Sequence, residues 1–321
     1  MSAAKHTLDI AIYDVRLPDP LAEIVLSALT GAAKRGVAVR LAYNLDDDDR
    51  VPVPPPPSTN PGLLESLPFP TAAIPGSPDL MHHKYVIRDG GTVWTGSTNW
   101  TADSWTREEN VILTAASISL AARFTEDFNQ LWTRRDVEKT GKVDSAPVDV
   151  AGTSVRAWFC PGRGEQLAHR IAKAIGTATR RVRIASPVIS SGPILATLAQ
   201  VAGDGKVDLA GVVDRTQVHE VIRQWRVNGN AQWKEPLLRG ALSHAPFSGK
   251  HSTPYAPGRV HDYMHAKVTV ADDVVFAGSF NLSRSGETNA ENVLEIADPA
   301  LAERLAAFID EIRAKYPGID V

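Results

Sequence analysis

Residues 81–99 read "MHHKYVIRDGGTVWTGSTN", and residues 264–281 read "MHAKVTVADDVVFAGSFN". Each carries His-x-Lys, four further residues and Asp, and each closes on Gly-Ser-x-Asn. One polar set written twice in a single chain points to one site assembled from two halves. The repeat extends outward. Glu109-Asn110 in "REENVILT" is matched to Glu291-Asn292 in "AENVLEI", 27 residues after His82 and 26 after His265. Each half then runs into an amphipathic helical pattern, "SLAARFTEDFNQLW" and "ALAERLAAFIDEIRAKY", with apolar residues at helical spacing. Upstream, "LDIAIYDV" to "VAVRLAYN" and "RVRIASPVI" to "VDLAGVVD" both spell strand, helix, strand. An offset this large is the mark of a duplicated α/β unit, not of a short solenoid repeat.

The expected fold is therefore α/β: two pseudo-symmetric lobes of mixed sheets flanked by helices, residues 1–145 and 146–321, with the active site at the lobe interface. Residues 138–154, rich in small and polar types, form the linker. The second half opens with "VRAWFCPGRGEQLAHRIAKAI", which the first half lacks. Residues 45–80, with Asp46–Asp49 and a proline run, and residues 215–263 are expected to be long irregular loops beside the ligand crevice.

On paired strands, His82 and Lys84 share a face, as do Ser97 and Asn99. A hairpin centred between Gly90 and Gly91 sets Lys84 opposite Ser97 and His82 opposite Asn99. A centre at Asp273 sets Lys267 opposite Ser279 and His265 opposite Asn281. Two such patches, brought face to face, surround a small anion with cations and neutral donors, which describes a phosphate pocket. Imidazole suits attack on phosphorus and proton transfer alike, because it titrates near neutrality. Glu109 and Glu291 are expected to accept from the distal ring nitrogens and fix the tautomers. Asp89 and Asp272, at the turns, are expected to be structural.

These motifs resemble those of the phospholipase D superfamily, whose signature is HxK(x)4D followed by GSxN. The resemblance covers nearly the whole chain. It implies a phosphodiesterase that needs neither metal nor cofactor and works through a covalent phosphohistidine, with water or an alcohol as acceptor. It implies catalytic roles for His82, Lys84, His265 and Lys267, with His82 the nucleophile and His265 the acid/base. Ser97, Asn99, Ser279 and Asn281 would contact the substrate. The second turn is one residue short, and the chain is compact beside the larger lipid-cleaving members.

Composition sets bounds. The chain has 321 residues, a net charge of −3, 43% hydrophobic residues and one cysteine, Cys160. No thiolate metal cluster or internal disulfide is possible, and no apolar run is long enough for a membrane span. The start, "MSAAKHTLDIAIYD", has no signal-peptide pattern. A cytoplasmic chain, complete as a monomer because both half-sites lie in it, is the expectation. Low net charge disfavours a general nuclease. Residues 215–260, however, hold seven Lys or Arg against two Glu, interleaved with Trp225, Trp233, His219, His244, His251 and Tyr255. That mix suits single-stranded nucleic acid or a lipid headgroup surface as well as an ordinary loop. Phospholipid is the leading substrate class. A nuclease is the rival enzyme, and a non-catalytic phosphate- or nucleic-acid-binding module is the rival of another kind. His83 is expected to be a bystander, and His261 to reach the pocket edge.

Overall fold

The computed structural model describes residues 1–17, 20–45, 59, 61–229, 231–254 and 261–321. Asp46–Asp49, the proline run, Tyr255 and Arg259 lie outside the described residues. The first lobe runs β1 (Thr7–Ile12), β2 (Val15–Arg16), α1 (Leu21–Lys34), β3 (Ala38–Leu45), α2 (Pro61–Glu65), β4 (Thr71–Pro75), β5 (Lys84–Arg88), β6 (Thr92–Gly96), β7 (Trp100–Thr101), α3 (Ala102–Thr106), β8 (Ile112–Ala116) and α4 (Ile118–Arg134). The second lobe runs β9 (Val148–Val150), β10 (Thr153–Phe159), α5 (Gly164–Thr177), β11 (Arg181–Ala185), α6 (Gly192–Asp204), β12 (Asp208–Asp214), α7 (Arg215–Asn228) and α8 (Lys234–His244). It ends with β13 (Phe247–Lys250), β14 (Val268–Ala271), β15 (Val274–Gly278), α9 (Arg284–Thr288), β16 (Asn292–Ala297) and α10 (Pro299–Lys315).

Six strands form one sheet in the order β4-β3-β1-β5-β6-β8, and eight form the other, β13-β12-β11-β14-β15-β16-β10-β9. The first six positions correspond one to one, with matching parallel and antiparallel joins. The duplication read from the sequence is thus a duplication of topology. The additional segment of the second half supplies β10 and α5, and β10 covers the edge of β16.

Alternation along the strands decides which side each sheet buries. Leu8, Ile10 and Ile12 of β1 pack with Val25, Leu29 and Ala32 of α1 in an outer cluster. Val182, Ile184, Leu209 and Val213 do the same beneath α5 to α8. The opposite faces meet in one core shared by both lobes, where Tyr85, Phe124 and Phe128 join Phe159, Val268, Leu294 and Ile309. No helix among the described residues is long and apolar enough to cross a membrane.

The two expected loops hold regular structure. Residues 45–80 include α2 and β4, an edge strand parallel to β3. The described part of residues 215–263 is mostly helical. Val218, Ile222 and Trp225 of α7 are buried at positions i, i+4 and i+7, a stripe that its many charges mask in the sequence. Trp225 points inward, whereas Trp233 is 56% exposed and His219, His244 and His251 lie on the surface.

The hairpin registers differ from expectation by one residue. Tyr85 pairs with Thr95 and Val268 with Ala277, which sets Lys84 against Gly96 and Lys267 against Gly278 rather than against the serines. The cause lies in the turns: Asp89 and Asp272 adopt left-handed conformations, φ 53° and 51°, and with them the turns centre earlier.

Candidate active site

The chain enters each motif from the far end of a parallel strand. At the close of β3, Asn44 Oδ1 accepts from the Met81 amide at 2.9 Å. At the corresponding end of β12, Asp214 Oδ2 accepts from the Met264 amide at 3.1 Å. Each motif then crosses to the opposite lobe. The His82 amide donates to the Ala290 carbonyl at 2.9 Å, and the His265 amide donates to the Glu109 carbonyl at 3.1 Å. This reciprocal exchange brings both histidines into one pocket.

The side chains follow the same crossed pattern. His82 Nδ1 and Glu291 Oε1 are 2.7 Å apart. His265 Nδ1 and Asn110 Oδ1 are 3.0 Å apart. The contact expected of Glu109 is absent. Its carboxylate takes Lys250 Nζ at 2.8 Å and the Tyr316 hydroxyl, so it ties β13 and the end of α10 to the first lobe. The error lay in the alignment of the Glu-Asn pairs. Gly96 pairs with Ile112 and Gly278 with Val293, so Asn110 corresponds to Glu291, and Glu109 to Ala290. The unpredicted acid near His265 is Glu108, 3.4 Å from Nδ1.

Lys84 and Lys267 are buried, each donating from Nζ to the carbonyl of its own motif histidine at 2.7 Å. Burial pushes the Lys84 ammonium down to about 7, and burial together with Lys84 drives Lys267 well below its usual range. Burial, reinforced by both ammonium groups, holds His82 and His265 well below the usual imidazole range. Burial lifts the Glu291 carboxyl to about 8 against the pull of Lys84. The resting pocket therefore favours neutral imidazoles, and an entering anion would offset the crowded positive charge. The Tyr13 ring closes one side, 4.7 Å from the His82 ring and 4.9 Å from Lys84 Nζ.

The remaining motif residues divide into two groups. Ser97 Oγ donates to Asn110 Oδ1 at 2.7 Å and accepts from the Val111 amide at 3.0 Å. Ser279 Oγ accepts from the Asn292 amide at 3.0 Å. Both hydroxyls, expected at the substrate, thus have partners on the neighbouring strand. Asn99 and Asn281 instead carry buried Oδ1 atoms without a hydrogen-bond partner among the described residues, and rotating either terminal amide presents its NH2 to an anion. Asp89 accepts from the amides of Lys5, His6 and Thr7, and Asp272 from those of Thr179, Arg180 and Arg181. Both anchor the lead-in to a central strand, far from proton chemistry. Burial raises these two carboxyls, and the three amides outweigh it, so both end below the usual range. His83 is buried against Asp127, 3.1 Å away, and Asn292, 3.3 Å away, as part of the core between lobes. His261 is buried 3.8 Å from Asp103.

The family model described as "cardiolipin synthase, PLD-like domain" matches residues 1–132 and 171–313. The chain belongs to the phospholipase D superfamily. Among individual members of this superfamily, the mitochondrial cardiolipin hydrolase of Xenopus laevis is 36% identical over 61 residues, 19% of this chain and 29% of that protein. The one from Chlamydomonas reinhardtii is 28% identical over 136 residues, 41% of this chain and 54% of that protein. The chain thus spans less than two thirds of the curated relatives it matches. The phosphatidylserine synthase of Haemophilus influenzae shares the fold, with a TM-score of 0.67 at 14% identity over 98% of this chain and 82% of that one. Within this phospholipase D-like frame, sequence reasoning missed Asn44, Asp214, Tyr13 and Glu108. Only Asn44 and Asp214 left a usable signal, as polar residues closing the apolar runs "VRLAYN" and "LAGVVD".

Proposed function

We propose that the protein is a phosphodiesterase that cleaves phospholipid, by hydrolysis or by transfer to an alcohol, through a phosphohistidine on His82. The observation that carries this reading is the crossed pair of histidine contacts, 2.7 Å to Glu291 and 3.0 Å to Asn110, beside two buried ammonium groups. With Nδ1 engaged on both rings, Nε2 is the nitrogen left for chemistry. His82 Nε2 attacks phosphorus, the bond to the leaving oxygen breaks, and His265, which takes up a proton at Nε2 when the bound anion offsets the two ammonium groups, donates that proton to the leaving oxygen. Water or an alcohol then gives its proton to His265 and attacks phosphorus, and the N–P electron pair returns to His82. Glu291 stabilises the phosphorylated imidazolium through Nδ1–H. Lys84, Lys267, Asn99 and Asn281 hold the equatorial oxygens. Both half-sites come from one chain, so a monomer suffices.

The lipid substrate class is supported by the family description and by the cardiolipin hydrolase relatives. The nuclease reading depends on the basic segment, whose cations are largely committed. Arg223 pairs with Glu220, Arg226 and Arg239 share Glu235, and Lys250 is buried on Glu109. The deciding experiment compares headgroup release from cardiolipin or phosphatidylglycerol vesicles with cleavage of single- and double-stranded DNA and RNA, all in EDTA. Lipid turnover lost in both His82→Ala and His265→Ala is the expected result. Preferential cleavage of nucleic acid would move the substrate class. Full activity in either variant would end the two-histidine mechanism.

A further inference from the structure

The first half carries one residue more than the second between Gly-Ser-x-Asn and its following strand. Its position is defined by the backbone. Arg107 N bonds the Asp103 carbonyl as Asn289 N bonds that of Ser285, and Glu109 and Ala290 occupy equivalent bridges. The additional residue is Glu108. Its side chain is 6% exposed and stands 3.4 Å from His265 Nδ1. Oε2 accepts from Ser104 Oγ at 2.6 Å and from Asn110 Nδ2 at 3.3 Å. His82 has a carboxylate in direct contact, whereas His265 meets a neutral amide with this carboxylate beside it.

That arrangement bears on the step in which His265 carries a positive charge. Lys267 and Lys84 both oppose an imidazolium there, His82 and Glu291 belong to the other histidine's side of the pocket, and an amide oxygen offsets only part of the repulsion. We propose that Glu108 is a positioning residue for leaving-group protonation: it stabilises the His265 imidazolium through charge and through the Asn110 amide it orients. The proposal rests on the phosphodiesterase reading. The proton moves from His265 Nε2 to the leaving oxygen, and Glu108 itself neither gains nor loses one. Burial raises the Glu108 carboxyl, against which Ser104 and Lys267 act.

Glu108→Gln keeps an acceptor for Ser104 and removes the charge. First-turnover rates are compared for bis(p-nitrophenyl) phosphate, whose leaving group needs no proton, and for phosphatidylglycerol vesicles, whose alcohol does. The expected result is a loss on the order of 10²-fold with the alcohol, a nitrophenol burst within about threefold of wild type, and an alkaline limb moved to lower pH with the alcohol substrate. Adding Asn110→Asp to Glu108→Gln, which puts the charge back beside His265, should restore the alcohol rate. Equal losses with both leaving groups, no loss with either, or no rescue by the double variant would overturn the proposal. A wild type without a His82-dependent burst would remove the phosphodiesterase reading itself, a separate and recognisable outcome.

Discussion

A lysine whose Nζ is enclosed and tied to a carbonyl at 2.7 Å, as Lys84 and Lys267 are, holds its proton only weakly until an anion arrives. Anion binding raises both ammonium groups from depressed values, so binding takes up protons once the pH exceeds the free value, about 7 for Lys84. Sulfate keeps one charge state across this range. Its affinity should fall as the pH rises above 7, by up to about tenfold per coupled proton for each unit. Calorimetry in buffers of different ionisation enthalpy reads the uptake, and an affinity that climbs with pH would exclude the two ammonium groups as the anion's partners. Glu109 supplies the contrasting case. Its ion pair with Lys250 has side-chain exposures of 16% and 9%, and removing one member of such a pair costs about 3–5 kcal/mol. Glu109→Ala should therefore lower stability to urea by about that amount while turnover changes only a few-fold. A stable but inactive variant would return Glu109 to the chemistry.

At the level of elements, the glycine that opens each Gly-Ser-x-Asn is demanded by a crowded strand pair. A Cβ on Gly96 would lie 2.1 Å from the Val111 carbonyl oxygen, and one on Gly278 would lie 2.0 Å from that of Asn292. Those oxygens are backbone, so β6 and β8 would have to part. Gly96→Ala should cost about 1–3 kcal/mol and unseat the Ser97–Asn110 contact behind His265. Gly90→Ala, with φ +57° and open space around it, should cost only about 1–2 kcal/mol and leave the site intact. Thermal melts with parallel rate measurements separate the two. Such spacing explains what was legible. Repeated His-x-Lys, Asp and Gly-Ser-x-Asn fall on strands and turns of fixed geometry, so the duplication, the lobes and the two histidines follow from the letters. Registers slipped by one because a left-handed Asp at the turn looks like any other Asp. The helices at 215–244 were hidden because their surface charges outnumber their apolar stripe. Glu109 was matched to Glu291, whose counterpart is Asn110, because one inserted residue shifts everything after it, and only strand pairing reveals where the shift occurs.

For the molecule as a whole, the shared core is the controlling fact. Tyr85, Phe124 and Phe128 from one lobe and Phe159, Leu294 and Ile309 from the other are each nearly or wholly buried in it. Expressed apart, residues 1–145 and 146–321 would each expose that surface, so neither half should give a cooperative melt alone. Co-expression should restore a single transition and, with it, activity. Two independent melts would show that the lobes fold as separate units. The crossed histidine contacts add a further consequence. Slippage between lobes by even an ångström would pull Glu291 from His82 and Asn110 from His265 in the same movement. A misassembled molecule is thereby silent rather than reckless, because the fault that loosens the fold also disconnects its fuse.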